Sequence, residues 1–275
     1  MPELPEVETI VRDLRTHLVN TEIRAVFLHS QKMLEKMSLP LTCLEGTRIR
    51  EVTRRGKLIV IRTSSEATEY ILAVHLKLTG ALLINGEWDQ YTRCEFALRG
   101  ANDCTLIMQD HRSFGKIIVL EEKDIDSFPY WKNLGPDPLT ISLSQFTHIL
   151  AQKPNYLIKS ALLDQTLIAG IGNIYASEVL FEAGIHPAQK IKSLDEARIE
   201  KIYFAIQRIL QNAIEECGTS FRNYRDAHGK PGAFQNKLKV YGKKNFPCPN
   251  CKKALIQIMI AGRRTVICPN CQTLH

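Results

Sequence analysis

The chain opens Met1-Pro2-Glu3-Leu4-Pro5-Glu6, a combination of residue types that could do chemistry. Pro2 is small enough that Met1 is ordinarily trimmed, and trimming leaves a free secondary amine beside the Glu3 carboxyl. A secondary amine attacking a carbonyl-like carbon gives an iminium, and a neighbouring carboxyl group can protonate what leaves or open the ring under attack. The same residues also suit a helix start. Leu4, Val7, Val11, Leu14 and Leu18 recur at helical spacing, Pro5 fits a first turn, and acidic residues favour the positive end of a helix dipole. Glu6 falls three residues after Glu3, on the same helical face. Position alone leaves both readings open.

A second set of reactive residues lies near the other end. Cys248, Cys251, Cys268 and Cys271 form a C-x2-C-x16-C-x2-C pattern. Two such knuckles brought together place four thiolates in a tetrahedron, the arrangement of a structural Zn2+ site, and one such ion is expected. Between the knuckles, residues 254 to 260 and 265 to 267 read as two strands around a turn at Gly262, a zinc ribbon with Arg263 and Arg264 at its tip. Cys43, Cys94, Cys104 and Cys217 lack knuckle spacing and read as buried or inert thiols.

These residues need elements to position them. After the first helix come eight strand-like runs, at 22–29, 47–53, 58–62, 70–76, 80–84, 94–98, 105–109 and 115–120, separated by turn residues; they predict an antiparallel β-sandwich. The Pro-rich stretch 134–139 reads as a linker, and the period then changes. Helical spacing runs over 144–151, 155–163, 174–183 and 195–217, with Ser193 or Asp195 available as an N-cap. The chain is therefore read as an α+β multidomain protein: a catalytic β-sandwich with flanking helices at 1–133, a linker at 134–139, a helical domain at 140–235 and a zinc ribbon at 236–275.

Charge is distributed unevenly. Of 36 basic and 29 acidic residues, eleven basic and one acidic lie at 218–275, leaving 25 and 28 in the remainder. A folded module with that excess favours a polyanion. No 18-residue apolar run and no basic-then-apolar leader occurs, so a cytoplasmic location without membrane insertion is expected. Inside the helical domain, residues 164–178 (DQTLIAGIGNIYASE) carry Gly170 and Gly172 between two helices; the turn serves either close packing or a phosphate at the second helix, which Asn173 begins.

Taken together, Pro2 to Thr9 (PELPEVET), Arg54 to Lys57 (RRGK), the 164–178 segment, Val240-Tyr241-Gly242 and the Arg263-x-Thr265-x-x-Cys268 ribbon resemble the bacterial formamidopyrimidine-DNA glycosylases, over the whole chain and in order. The resemblance implies a helix-two-turn-helix motif at 164–178 and a monomeric enzyme acting on double-stranded DNA that contains oxidised purines. It implies that Pro2 is the amine attacking C1′, that Glu3 is the acid assisting base departure, and that Lys57 and Arg263 serve β- and δ-elimination, Arg263 alternatively clamping a phosphate. It further implies DNA contacts by His75, Leu78, Tyr91, Arg112, Phe114, Lys159, Asn173 and Tyr241. Leu78, Arg112 and Phe114 would fill the gap left by an extruded nucleotide, and 218–233 would be a flexible loop over the damaged base, with Ser220 and Tyr224 as contacts. Leu78 stands where the family usually has Met, and Tyr91 where it commonly has His. Two alternatives share most of these features: an endonuclease VIII-like glycosylase for oxidised pyrimidines, and a non-catalytic damaged-DNA binding protein.

Overall fold

A computed structural model describes residues 1–221 and 224–274. It divides into two compact units, Met1–Asn133 with Glu216–Gln235, and Leu134–Glu215 with Asn236–His275.

In the first unit, helix α1 (Leu4–Leu18) buries the stripe Leu4, Val7, Ile10, Val11, Leu14 and Leu18, as its spacing requires. Each of the eight expected runs is a strand: β1 (Glu22–Leu28), β2 (Arg48–Arg55), β3 (Leu58–Ser64), β4 (Glu69–His75), β5 (Gly80–Ile84), β6 (Thr92–Arg99), β7 (Cys104–Asp110) and β8 (Lys116–Glu121). All pairings are antiparallel, in the order β5-β7-β6-β1-β2-β3-β4-β8. At the centre β1 and β2 share a single Cα pair, Glu22 with Arg48. Bonds from Ile23 N–H to the Thr47 carbonyl and from Ile49 N–H to the Thr21 carbonyl extend this seam, which separates the strands into two sets of four. Leu82, Phe96, Leu106 and Met108 from one set and Ile59, Ile61, Leu72, Val74, Ile117 and Val119 from the other belong to one core, together with the apolar stripe of α1. A short helix, α2 (Pro129–Lys132), follows.

The segment 218–233, expected with the helical domain, packs here instead. Tyr224 and Ala227 lie in the sandwich core. The Ala227 carbonyl accepts from Ile84 N–H at 2.9 Å, and its own N–H donates to Asp13 Oδ2 at 3.3 Å. Two buried side chains and backbone pairing outweigh proximity in sequence to the preceding helix, and the polar, Gly-containing composition of the segment conceals both anchors. Arg222 and Asn223 of the expected loop lie outside the described residues.

The second unit contains α3 (Leu143–Ala151), α4 (Ile158–Leu163), α5 (Asn173–Glu182) and α6 (Glu196–Glu215), then the hairpin β9 (Ile256–Ile260) and β10 (Arg263–Ile267). Ser142 and Gln145 form a capping box at α3. Asp195, not Ser193, caps α6, its carboxylate accepting from Arg198 N–H at 2.8 Å. Helix α4 starts three residues later than its spacing suggested, because Leu157 forms a β-bridge with Lys190 and the Tyr156 N–H turns back to Lys153. The Pro-rich 134–139 stretch is packed into this unit: Gly135 N–H donates to the Gln165 carbonyl at 2.8 Å, and Gln207 Nε2 to the Pro138 carbonyl at 2.5 Å. Among the described residues no helix is long and apolar enough to cross a membrane.

Candidate active site and nucleic-acid interface

The N-terminus forms the helix start that its spacing suggested. Glu3 is the N-cap of α1, and Glu3 and Glu6 form a reciprocal capping box in which Glu6 Oε2 accepts from Glu3 N–H at 2.7 Å. Pro2 and Glu3 are buried beneath a half-exposed Met1. With Met1 attached, the Pro2 nitrogen is an amide; once Met1 is removed, it is a secondary amine directly adjacent to Glu3. Glu6 also accepts from Thr219 N–H at 2.7 Å through its other oxygen, so one buried carboxylate ties the start of α1 to the 218–233 segment. The sequence placed Glu6 on the right face without a role, and the E-x-x-E spacing of a capping box was the available signal.

Lys57 sits in the two-residue turn between β2 and β3, where Gly56 supplies a φ of 58°. Its side chain is buried. Beside the turn, Arg54 Nε donates to Glu8 Oε2 at 2.8 Å, which ties the turn to α1. Arg55 stacks on the Trp131 ring of α2, 4.7 Å from its centroid. His75 is also buried. Burial first, then the positive charges of Lys77 and Lys57, push its pKa down to about 3. His75 Nδ1 accepts from Lys77 N–H at 3.0 Å, which puts the ring proton on Nε2. The imidazole is thus a neutral donor at physiological pH.

Leu78 and Phe114 are large apolar side chains left 42% and 47% exposed. Phe114 is not core. The Arg112 guanidinium lies over its ring at 4.6 Å from the centroid. Tyr91 stacks against His111, with ring centroids 3.9 Å apart, and so packs against the loop that carries Arg112. Tyr224, expected as a base contact, is a core residue whose hydroxyl points to the Glu6 carbonyl at 3.4 Å; burial raises its pKa. Of the four isolated cysteines, Cys94 is buried and its thiol is pushed up to about 12, whereas Cys217 is exposed, its thiol also raised, by desolvation first and then by the charges of Asp13, Asp226 and Glu216.

In the second unit Lys159 differs from the expectation of a phosphate contact. It is 0% exposed, its Nζ donating to Thr265 Oγ1 at 2.7 Å and Ser177 Oγ at 3.1 Å. Those hydroxyls donate onward to the Arg263 and Asn173 carbonyls, at 3.1 and 2.8 Å. A buried ammonium therefore joins α4, α5 and β10 beneath Arg263. Asn173, at the start of α5, donates to the Arg264 carbonyl at 3.2 Å, while its buried Oδ1 has no hydrogen-bond partner. Gln165 satisfies the Gly170 turn, accepting from Gly170 N–H and donating to the Leu163 and Ile171 carbonyls. Tyr241 is half-buried, and its N–H and those of Lys239 and Val240 all donate to the buried Glu178 carboxylate at 2.7 to 3.0 Å. Arg263 and Arg264 are exposed beside the Ala261-Gly262 turn, both of whose φ angles are positive.

The sulfurs of Cys248, Cys251, Cys268 and Cys271 all lie within 4.8 Å of one another. The spacing matches a metal tetrahedron with bonds of about 2.3 Å, whose edges are about 3.8 Å. These residues can hold a metal ion.

Known proteins resemble this chain in sequence and fold. Residues 1–117 match the family model of the formamidopyrimidine-DNA glycosylase N-terminal domain, and residues 134–224 that of the formamidopyrimidine-DNA glycosylase H2TH domain. A formamidopyrimidine-DNA glycosylase of Desulfitobacterium hafniense is 38% identical over 267 residues, spanning 96% of both chains. The chain is similar to the MutM (Fpg) protein of Thermus thermophilus, with TM-score 0.88, 35% identity and full coverage of both chains. It is also similar to a Lactococcus lactis Fpg mutant in complex with a Fapy-dG containing DNA, with TM-score 0.88, 32% identity and coverage of 99% of this chain and 100% of that one.

Proposed function

The chain belongs to the formamidopyrimidine-DNA glycosylase family, bifunctional DNA glycosylases and abasic-site lyases of base-excision repair, and on that premise we propose that it removes oxidised purines from duplex DNA through its N-terminal proline. Loss of Met1 gives the Pro2 amine. This amine attacks C1′ of the damaged nucleotide, the C1′–base bond breaks, and Glu3 supplies the proton needed by the opening sugar or the departing base. The resulting iminium acidifies the adjacent sugar carbon, so the 3′ phosphate leaves by β-elimination with Lys57 assisting, and the 5′ phosphate by δ-elimination with Arg263 assisting. A guanidinium stays protonated, so Arg263 serves chiefly to neutralise the departing phosphate.

The observation that carries this reading is the capping box. It fixes Glu3, the covalent neighbour of the nitrogen that becomes the amine, at the buried start of α1, in a chain whose family match covers both the N-terminal and H2TH segments. His75, Tyr91, Asn173 and Tyr241 serve the DNA backbone, while Leu78, Arg112 and Phe114 fill the space the extruded nucleotide leaves. Lys159 acts indirectly, through Thr265. One structural Zn2+ on the four cysteines holds the ribbon, and the protein works in the cytoplasm on its DNA.

Borohydride trapping tests the reading. Enzyme shown by mass spectrometry to begin at Pro2 should form a covalent adduct with duplex carrying an oxidised guanine, faster than with an oxidised pyrimidine. The absence of any adduct would eliminate the enzyme readings, and the reverse preference would favour the endonuclease VIII-like one. Glu3→Gln keeps an acceptor for the helix cap and loses only the acid. We expect base excision to slow by about 10²- to 10⁴-fold, with duplex affinity within about twofold; equal losses in both would reduce Glu3 to a cap.

A further inference from the structure

We propose that Asp110 is the positioning residue that makes the Leu78 turn and the Arg112–Phe114 loop a single wedge. The inference rests on the proposed insertion of those side chains into duplex DNA. Asp110, the last residue of β7, is 0% exposed. Its Oδ1 accepts from the Thr79 hydroxyl and from Arg112 N–H at 3.1 Å, and its Oδ2 from Gly115 N–H at 2.7 Å. Thr79 follows Leu78 in the turn between β4 and β5, whereas Arg112 and Gly115 bracket the loop between β7 and β8. One carboxylate therefore bonds both turns.

The backbone of Asp110 is fixed as well. Its N–H donates to the Tyr91 carbonyl at 2.9 Å, its carbonyl accepts from Arg93 Nε at 3.0 Å, and it pairs with Gly80 across β5. The two turns need such support, since Lys77 and Ser113 hold φ angles of 51° and 53° that non-glycine residues adopt at a cost. The Arg112 N–H also reaches the Thr79 hydroxyl at 3.3 Å, so Thr79 is the direct link between the turns. Space around the carboxylate is closed: a Cβ on Gly115 would stand 2.7 Å from the Met108 methyl and 3.1 Å from Asp110 Oδ2. Arg112 and Phe114 touch each other through guanidinium and ring, and the hydrogen bonds of Asp110 join their loop to the Leu78 turn. Their common geometry comes from the buried anion behind them.

The test separates filling a hole in a duplex from the chemistry at the sugar. Thr79→Val keeps shape and removes the hydroxyl that joins the turns, and Thr79→Ser keeps the hydroxyl; Asp110→Asn removes one acceptor. Borohydride trapping is measured on an abasic site in duplex and on the same abasic strand alone, which has no stack to wedge. We expect Thr79→Val to lower the duplex trapping rate about tenfold more than the single-strand rate, a displacement effect. Thr79→Ser should recover most of the difference, and Asp110→Asn should match or exceed Thr79→Val. Equal losses on both substrates, no loss on either, or failure of Thr79→Ser to recover would overturn the proposal. If the unaltered enzyme trapped neither substrate, the Pro2 chemistry would have failed instead.

Discussion

The loop carrying Arg112 and the hairpin carrying Arg263 each present an exposed arginine from a tight turn, yet they are held by opposite means. Behind Arg112 lies a buried anion, the Asp110 carboxylate, collecting backbone N–H groups and a hydroxyl. Behind Arg263 lies a buried cation, Lys159, working through hydroxyls that pass hydrogen bonds to carbonyls. The difference follows from what each turn leaves unpaired. The Arg112 loop turns N–H donors inward and meets an acceptor, whereas the Thr265 and Ser177 hydroxyls give their protons to the Arg263 and Asn173 carbonyls and so meet a donor, the Lys159 ammonium. The first support is embedded in a sandwich core of more than two dozen buried residues. The ribbon cluster has six, Phe181, Val240, Cys248, Leu255, Val266 and Cys268, two of them the metal-ready cysteines themselves.

That contrast can be broken most severely by removing the proposed Zn2+ from the four-cysteine cluster. With so little apolar surface to bury, the ribbon should open when the ion is extracted, while the sandwich, which has no share in the ion, keeps its structure. We expect duplex affinity to fall about a hundredfold, the equivalent of two charge-assisted contacts, with the unfolding transition of the first unit unchanged. Binding measured before and after verified metal removal decides it, and unchanged affinity would show that the hydrogen bonds of Lys159 suffice alone.

Lys159→Met gives the next largest effect. It keeps the stem of the side chain and removes the ammonium, leaving Thr265 and Ser177 without their donor. We expect the second unit to lose about 1–3 kcal/mol, read by denaturant unfolding, and Arg263-dependent DNA binding to weaken with it. A direct phosphate contact by Lys159 would instead flatten the salt dependence of binding with no loss of stability.

A third test concerns the charge state of the contacts themselves. The arginines are cations, but His75 is held neutral. Its folded pKa is depressed to about 3 from an ordinary 6.5, so between those values the unfolded chain binds the extra proton, and the stability contributed by neutral His75 is complete above about pH 7 and is lost as pH falls toward 3. A proton NMR titration should show no His75 inflection from pH 8 to about 4. An inflection near 6.5 would mean that the ring is solvated and free to charge.

How much of this was legible in the sequence depended on the range of the interaction. The helix of the N-terminus, the eight strands, the Ala261-Gly262 turn and the four-cysteine cluster follow from periods and spacings within a few tens of residues, and local sterics and side-chain alternation are enough to impose them. The reactive types, Pro2 and Glu3 above all, were visible because their adjacency is covalent. What Asp110, Lys159 and Glu178 do, and the tie of Glu6 to Thr219, was not visible, because each is bonded to residues 31 to 213 positions away, and no local pattern marks a side chain that will be buried with distant partners. For the same reason the burial of Lys159, expected as a DNA contact, and of Tyr224, expected as a loop contact, was not foreseen. The sequence by itself determined which groups could react and which elements would form. The tertiary structure alone decided which charges were buried to hold those elements still, since burying a charge is tolerated only where several partners converge on it, and convergence is a property of the fold.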